Sequence, residues 1–180
     1  MIKQISGGVC AAEGFQAAGI YCGIRKNKSK KDLALIASSV PAHAAAVYTT
    51  NLVKGAPLTV TKTHIADGTA QAVICNSGNA NTCNADGIDI AEQMSSLTAE
   101  ALGIRADDVV VASTGVIGQP LSITPIAKGI PNLAAALKRD GSGEACEAIM
   151  TPTRRKRRPR WRLRWAGKPV ISAASPRAAA

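Results

Sequence analysis

Val109-Val110-Val111-Ala112-Ser113-Thr114-Gly115-Val116-Ile117-Gly118 decides how the rest of this sequence is read. Three β-branched residues in a row, ahead of any polar group, read as a short strand buried on both faces. The run then breaks into Ser-Thr-Gly, where the backbone is expected to turn. A turn straight off a buried strand aims amides and a hydroxyl at a pocket. Rigid donors of this kind stabilise developing negative charge, and removing one costs about 3 kcal/mol of barrier. The same residues also fit an ordinary strand-to-loop turn in which Gly115 supplies a positive φ.

Working outward, Ile88 to Leu102 is the clearest helix, with Ala91, Met94, Leu97, Ala101 and Leu102 on one face. Asp86 and Asp89 favour its start and Gly103 its stop. Before it, Ala72-Val73-Ile74-Cys75 reads as a buried strand that empties into Asn76-Ser77-Gly78-Asn79-Ala80-Asn81-Thr82-Cys83-Asn84. Asn tolerates the left-handed region and bonds its own backbone, so this loop can be tight and ordered. By composition it either lines a site or simply turns. The unit is strand–loop–helix–strand, with 113–118 at its end, a place where α/β folds put pockets.

Toward the N-terminus, the glycine-rich stretch from Gly7 to Phe15 is turn-prone. Gly19 to Ile24 and Leu33 to Ala37 read as two strands of an antiparallel hairpin. The Lys-rich connector between them, 25–31, reads as a solvated loop tip. Ala44 to Thr50 reads as a further strand. Pro57 to Ile65 is open: Pro57 can begin a helix, yet Leu58-Thr59-Val60-Thr61 alternates like a strand. Beyond 118, Pro120 and Pro125 punctuate, Pro131 begins a short helix carrying Leu133, Ala134 and Leu137, and Glu144 to Met150 forms a helical turn or two. The expected fold is α/β, a mixed-sheet sandwich with helices.

Composition narrows the functional classes. There is no basic-flanked apolar leader and no run approaching 18 apolar residues, so the expected location is cytoplasmic, with no membrane partner. The five cysteines, Cys10, Cys22, Cys75, Cys83 and Cys146, lack a Cys-x-x-Cys pair and read as reduced core thiols. Zinc would lack paired ligands, His43 and His64 stand alone, and no metal or cofactor is expected. No phosphate loop, dinucleotide fingerprint or identifiable general base occurs. The net charge of +10 is uneven. Residues 1–151 hold 12 basic and 12 acidic side chains, whereas 152–180 hold eight Arg, two Lys and no acid. Two domains are expected on that ground, a neutral body at 1–151 and a basic tail at 152–180.

Several segments together resemble one family, in order and spacing. They are Gly7-Gly8-Val9 with Gly14-Phe15, Lys31 to Ile36, Asn76-Ser77-Gly78-Asn79-Ala80-Asn81, Ala112 to Gly118, and Glu147 to Thr151. The family is ornithine acetyltransferase, the bifunctional glutamate N-acetyltransferase of arginine biosynthesis, and the resemblance covers residues 1–151, its α portion. It implies a chain that cuts itself before an internal Thr. That Thr, then N-terminal on a β chain, carries acetyl from N-acetylornithine to glutamate, with its own amine as base. It implies Thr114 (hydroxyl) and Gly115 (amide) as the catalytic oxyanion-hole donors, and Thr151 as part of a substrate-binding segment. The family continues that segment with Thr and Asp, where this sequence has Pro152 and Thr153. It also implies an α2β2-type heterotetramer and no cofactor. An N-terminal-nucleophile aminopeptidase shares the self-cleaving logic, but Ser77-Gly78-Asn79-Ala80-Asn81 favours the acetyltransferase.

After Thr151 the resemblance stops, and no nucleophilic Thr segment is present. Codons can be chosen for 152–180 so that a shifted frame reads Asp-Thr-Lys-Lys-Glu-Ala-Ala-Glu and closes with Ile-Gly-Gly-Ile-Ala-Lys-Gly-Ser-Gly. One lost base after the Thr151 codon suffices. The tail is therefore read as out of frame, unable to continue a sheet and without regular structure, leaving the body with an unpaired edge and no activity of its own. The alternative is a nucleic-acid-binding module that uses the Arg residues with Trp161 and Trp165.

Overall fold

In the computed structural model the described residues are 6–150, together with the backbone of two strands at 160–165 and 168–173. Four strands form one mixed sheet in the order β1-β2-β3-β4: β1 Phe15–Ile20, β2 Leu33–His43, β3 Thr69–Asn79 and β4 Val109–Val116. β1 and β2 form an antiparallel hairpin, with Ala18 opposite Leu35, but its first strand lies four residues before the expected Gly19–Ile24, because the amides of Cys22, Gly23 and Arg25 bond the Asp32 carboxylate instead of a strand. β2 runs antiparallel to β3 and β3 parallel to β4, with Ile74 beside Val111. The parallel pair is joined by α2, Gly87–Leu102, as a crossover requires. Gly103 closes α2 in the left-handed region, φ +67, as its position foretold.

One sheet face carries the main core. Leu33, Leu35, Ile74, Val109 and Val111 pack against Val60 of α1 (Ala56–His64), Ala91 and Met94 of α2, and Ile126, Ile130 and Leu133 of α3 (Ile123–Ala135). The opposite face is covered over β1 and β2 by α4, Ser142–Ala148, with Ala17, Ala34, Ala145 and Ala148 in contact. Small residues let α4 lie close: a Cβ on Gly141 would stand 1.7 Å from the Ala17 carbonyl oxygen. Glu144 then anchors α4 to Lys138 at 2.7 Å and to Lys31 at 2.9 Å. The bond from Lys138, then that from Lys31, holds the Glu144 carboxyl below its ordinary range.

Several expectations are corrected. The Pro57 region, open between helix and strand, is helix α1, with the proline in its first turn. Pro131 lies inside α3 rather than at its start. An internal proline costs about 3 kcal/mol, but Ile126, Ile130 and Leu133 are fully buried on that helix's face, and this burial holds the helix through it. The Val run is buried on one face: Val109 and Val111 are buried, and Val110 is half-buried. The stretch Ala44 to Thr50 forms no strand, because the β2–β3 ladder ends at His43 opposite Thr69, where β3 itself begins. In the tail, Arg160–Trp165 and Lys168–Ala173 form an antiparallel pair, β5 and β6, separate from the main sheet. The expectation of no regular structure is corrected over those residues. Trp161-Arg162-Leu163-Arg164-Trp165 alternates with period two, a strand signal that the charge and proline count had outweighed. The rest of the tail, and Thr151, lie outside the described residues.

The exposed edge is partly covered. β4 is the last strand of the sheet. Thr61 of α1 accepts from the Val111 amide at 3.1 Å and donates to its carbonyl at 2.9 Å, and His64 Nδ1 donates to the Val109 carbonyl at 2.9 Å. Side chains of α1 thus satisfy the outward backbone groups that would otherwise template another strand.

The cysteines differ in reactivity. Burial pushes the Cys75 thiol up to about 12, and burial with the neighbouring Asp32 charge pushes Cys22 up to about 12. Cys83 is exposed. Alkylation at pH 8 is therefore expected to modify Cys83 first, with Cys22 and Cys75 protonated and slow. Peptide mapping after brief iodoacetamide treatment checks this; early labelling of Cys75 contradicts it.

Candidate functional site

The two polar stretches singled out in the sequence, 76–84 and 113–118, meet at one corner of the sheet. Register pairs Asn76 with Ser113, Ser77 with Thr114 and Gly78 with Gly115. The ladder then runs on: the Ala80 amide bonds the Val116 carbonyl at 2.9 Å, and the Gly118 amide bonds the Thr82 carbonyl at 2.9 Å. The expected turn at Ser113-Thr114-Gly115 is absent. The strand continues to Val116, because β3 continues beside it to Asn79.

The Asn residues build the corner rather than face outward. Asn76 Nδ2 donates to the Asn79 carbonyl at 2.9 Å, and Asn79 Nδ2 donates to the Gln119 carbonyl at 2.9 Å. Asn79 Oδ1 accepts from the Asn81 amide at 2.8 Å, and Asn81 Nδ2 reaches the Gly87 carbonyl at 2.8 Å. Asn81 itself is left-handed, φ +48, which Asn tolerates better than most residues. These side chains tie loop to strand and to the start of α2.

Thr114 and Gly115 sit at the open part of this frame. Backbone groups alternate in direction along a strand. Val109 and Val111 point theirs to the outer edge, toward α1. Gly115 shares their parity, so its amide also points outward, beyond the end of α1's cover. Gly115 is exposed, whereas Thr114 is buried and its hydroxyl has no hydrogen-bond partner among the described residues. Gly115 has φ +142, and a Cβ there would stand 2.3 Å from the Gly78 carbonyl carbon. Both the backbone angle and the close approach of β3 require glycine. A free hydroxyl beside a free amide, on rigid strand backbone, is a donor pair that suits a developing oxyanion.

Sequence reasoning missed Arg25. Its Nε donates to Ser77 Oγ at 3.1 Å, and its Nη2 donates to the Met150 carbonyl. Ser77 in turn donates to the Ala148 carbonyl. The segment just before Thr151 is thus fastened to the neighbour of Thr114. Arg25 is itself placed by Asp32, a fully buried carboxylate that accepts from the amides of Cys22 at 2.7 Å, Gly23 at 3.3 Å and Arg25 at 2.9 Å. Arg25 had been read as part of the Lys-rich connector. Lys26, Lys28 and Lys30 are indeed exposed, and Arg25 is not. Asp32, the acid that closes this basic run, was the available signal.

Among the described residues no group of three or more His, Cys, Asp or Glu is placed to hold a metal ion. None of the described helices is long and apolar enough to cross a membrane.

Comparison with known proteins follows this geometry. Residues 16–173 match the profile of the ArgJ family. The arginine biosynthesis bifunctional protein ArgJ of Symbiobacterium thermophilum is 51% identical over 152 residues, which are 83% of this chain and 38% of that protein. The chain therefore spans well under half the length of the curated relatives it matches. The crystal structure of the Bacillus halodurans arginine biosynthesis bifunctional protein superposes with TM-score 0.87 at 37% identity, over 98% of this chain and 93% of that one. Ornithine acetyltransferase from Mycobacterium tuberculosis, solved in complex with ornithine, superposes with TM-score 0.85 at 32% identity, over 97% and 94%. The match over most of the chain, in sequence and in fold, places this protein in the ArgJ family of arginine-biosynthesis enzymes.

Proposed function

We propose that this chain is the α portion of a glutamate N-acetyltransferase that moves acetyl from N-acetylornithine to glutamate. The observation that carries the reading is the outward Gly115 amide beside a Thr114 hydroxyl that has no partner among the described residues, at the uncovered end of β4. In this role the two donors bind the oxygen that becomes negative when a nucleophile adds to the acetyl carbonyl. The nucleophile is a Thr at the start of a second polypeptide, with its own amine as base. Arg25 and Ser77 hold the segment that leads to Thr151, which contacts substrate. The chain supplies half of a site and is inactive alone. A β chain completes it, as an α2β2-type assembly acting in the cytoplasm without a cofactor.

Two findings support a division of this kind. The chain covers 38% of a curated relative but 93% of a chain in a crystal structure of a family protein. The body's own residues also lack an identifiable base. The tail past Thr151 is proposed to be out of frame, on its charge and the family-like reading of the shifted codons, although the family profile's match runs on to residue 173. Sequencing the gene through codon 151 tests that part: an uninterrupted frame with no recoverable shifted reading removes it.

The site assignment is tested by exchange between N-acetylornithine and labelled glutamate. The purified chain is expected to show none. Together with the part of the Symbiobacterium thermophilum relative that lies C-terminal to the matched region, exchange should appear. Thr114→Val in that complex should lower kcat by about 10²–10³-fold with little change in KM, the size expected for one lost oxyanion donor. Wild-type kcat in the Thr114→Val complex refutes the assignment.

A further inference from the structure

Ala45 to Lys54 contains Val47-Tyr48-Thr49-Thr50, residues that favour strands, yet it pairs with no strand among the described residues. Ala44 still bonds the Gly68 carbonyl at 2.8 Å, and the Gly55 carbonyl accepts from Leu58 at 3.0 Å. Between them, no backbone group bonds another backbone group among the described residues. The hydrogen bonds within the stretch are local turns: Asn51 amide to Thr49 Oγ1 at 3.1 Å, and Val53 amide to Asn51 Oδ1 at 3.0 Å. Val47 is 99% and Leu52 95% exposed. Scattered apolar side chains on a surface need no explanation. Two large ones standing wholly in water on a segment without backbone pairing among the described residues do. Tyr48 adds a second sign, since its hydroxyl is buried with no partner.

The stretch is also held at both ends. It departs beside Gly68, at the start of β3, and arrives where Ala56 bonds the Asn81 carbonyl at 3.0 Å, just past the end of β3. The twelve steps from Ala44 to Ala56 therefore cover roughly the length of an eleven-residue strand, on the order of 33 Å, which leaves room for the bends at Leu52 and Val53 but little more slack. A segment pinned at both ends loses less freedom on pairing than a free one.

We propose that Ala45–Lys54 is a docking strand for the portion of the family polypeptide that this chain does not span. That portion adds a strand along the free backbone of 45–50 and covers Val47, while Leu52, in the turn that follows, packs against it separately. This rests on the reading above that a second polypeptide completes the enzyme. The occupant follows from length: the greater part of the Symbiobacterium thermophilum relative lies outside the match. The β4 edge is less available, because α1 already satisfies Val109 and Val111.

The test uses the full 180-residue chain and, as a separately produced probe, the part of that relative C-terminal to the matched region. On binding, amide exchange within 45–50 should slow at least tenfold. Val47→Asp and Leu52→Asp should each weaken binding at least tenfold, and Ile88→Asp, on half-exposed α2 surface, should not. All three positions face water, so the fold of the free chain, read by circular dichroism, should be unchanged. Binding of wild type and both variants with equal strength, with exchange at 45–50 unaltered, overturns the docking strand and leaves the two-chain reading intact. Failure of the wild-type chain to bind the probe overturns both. Protection of 45–50 in the chain alone, rising with its concentration, makes the occupant a second copy and also overturns the proposal.

Discussion

Gly115→Ala is expected to destabilise the chain by about 3–4 kcal/mol, through overpacking added to backbone strain. The new Cβ would stand 2.3 Å from the carbonyl carbon of Gly78, 2.5 Å from the Asn79 nitrogen and 2.6 Å from the Gly78 oxygen. All three are backbone atoms of the adjacent strand, so no side chain can swing away. The positive φ of +142 adds strain that any L side chain would feel. Relief requires β3 and β4 to part at the Gly78–Gly115 rung, and that rung holds the outward amide. A fall of roughly 10 °C in Tm follows for a chain of this size. Gly118→Ala is the control. Its φ is also positive, +70, but nothing lies within 4 Å of the added carbon, so its cost is strain alone, about 1 kcal/mol. Equal thermal shifts for the two variants would show that the close strand approach is not what demands glycine at 115.

Asp32→Ala comes second, at about 3 kcal/mol. Removing the buried carboxylate strands three amide donors, and hydrogen bonds to a charged acceptor are the stronger kind. Those of Cys22 at 2.7 Å and Arg25 at 2.9 Å are the shorter two. Asp32→Asn keeps one acceptor oxygen and should cost less. A chemical signature accompanies the loss. The Cys22 thiol is held up to about 12 by burial first and the Asp32 charge next. Without that charge, and with the 22–25 loop loosened, its pKa drops and Cys22 should alkylate markedly faster at pH 8. Cys75, raised by burial alone, should be unaffected. Unchanged Cys22 labelling in a destabilised Asp32→Ala would mean that the loop keeps its place without the carboxylate. Because Arg25 follows from this loop, the same variant should free the Met150 carbonyl, so amide exchange at 149–150 should quicken.

The elements legible in the sequence are those with strong local signals. Helix α2 has a clear apolar face and a glycine stop, and it appears within one residue of its expected start. The start of β2 at Leu33 and the strand–helix–strand crossover follow from strand runs and the length of the connection. Family-like segments pointed at Thr114 and Gly115, which lie near the end of β4. What failed locally failed for tertiary reasons. Pro131 sits inside α3 because three buried side chains outweigh its missing amide. The Ser-Thr-Gly stretch stays in strand because Asn76 to Asn79 is alongside to pair with it. Ala44 to Thr50 has strand composition and no strand, since pairing needs a neighbour and β3 has not begun there.

By itself, then, the sequence determined the class of fold, the crossover and the neutral body with its basic tail, because each depends on periodicity, turn residues or charge along the chain. Only the tertiary structure decided which way the Gly115 amide points, how α1 closes part of the β4 edge, and that Arg25 and Asp32 fasten the segment before Thr151. Those facts depend on strand parity and on contacts between residues 50 to 125 positions apart, and such contacts leave no periodic trace in the order of the residues.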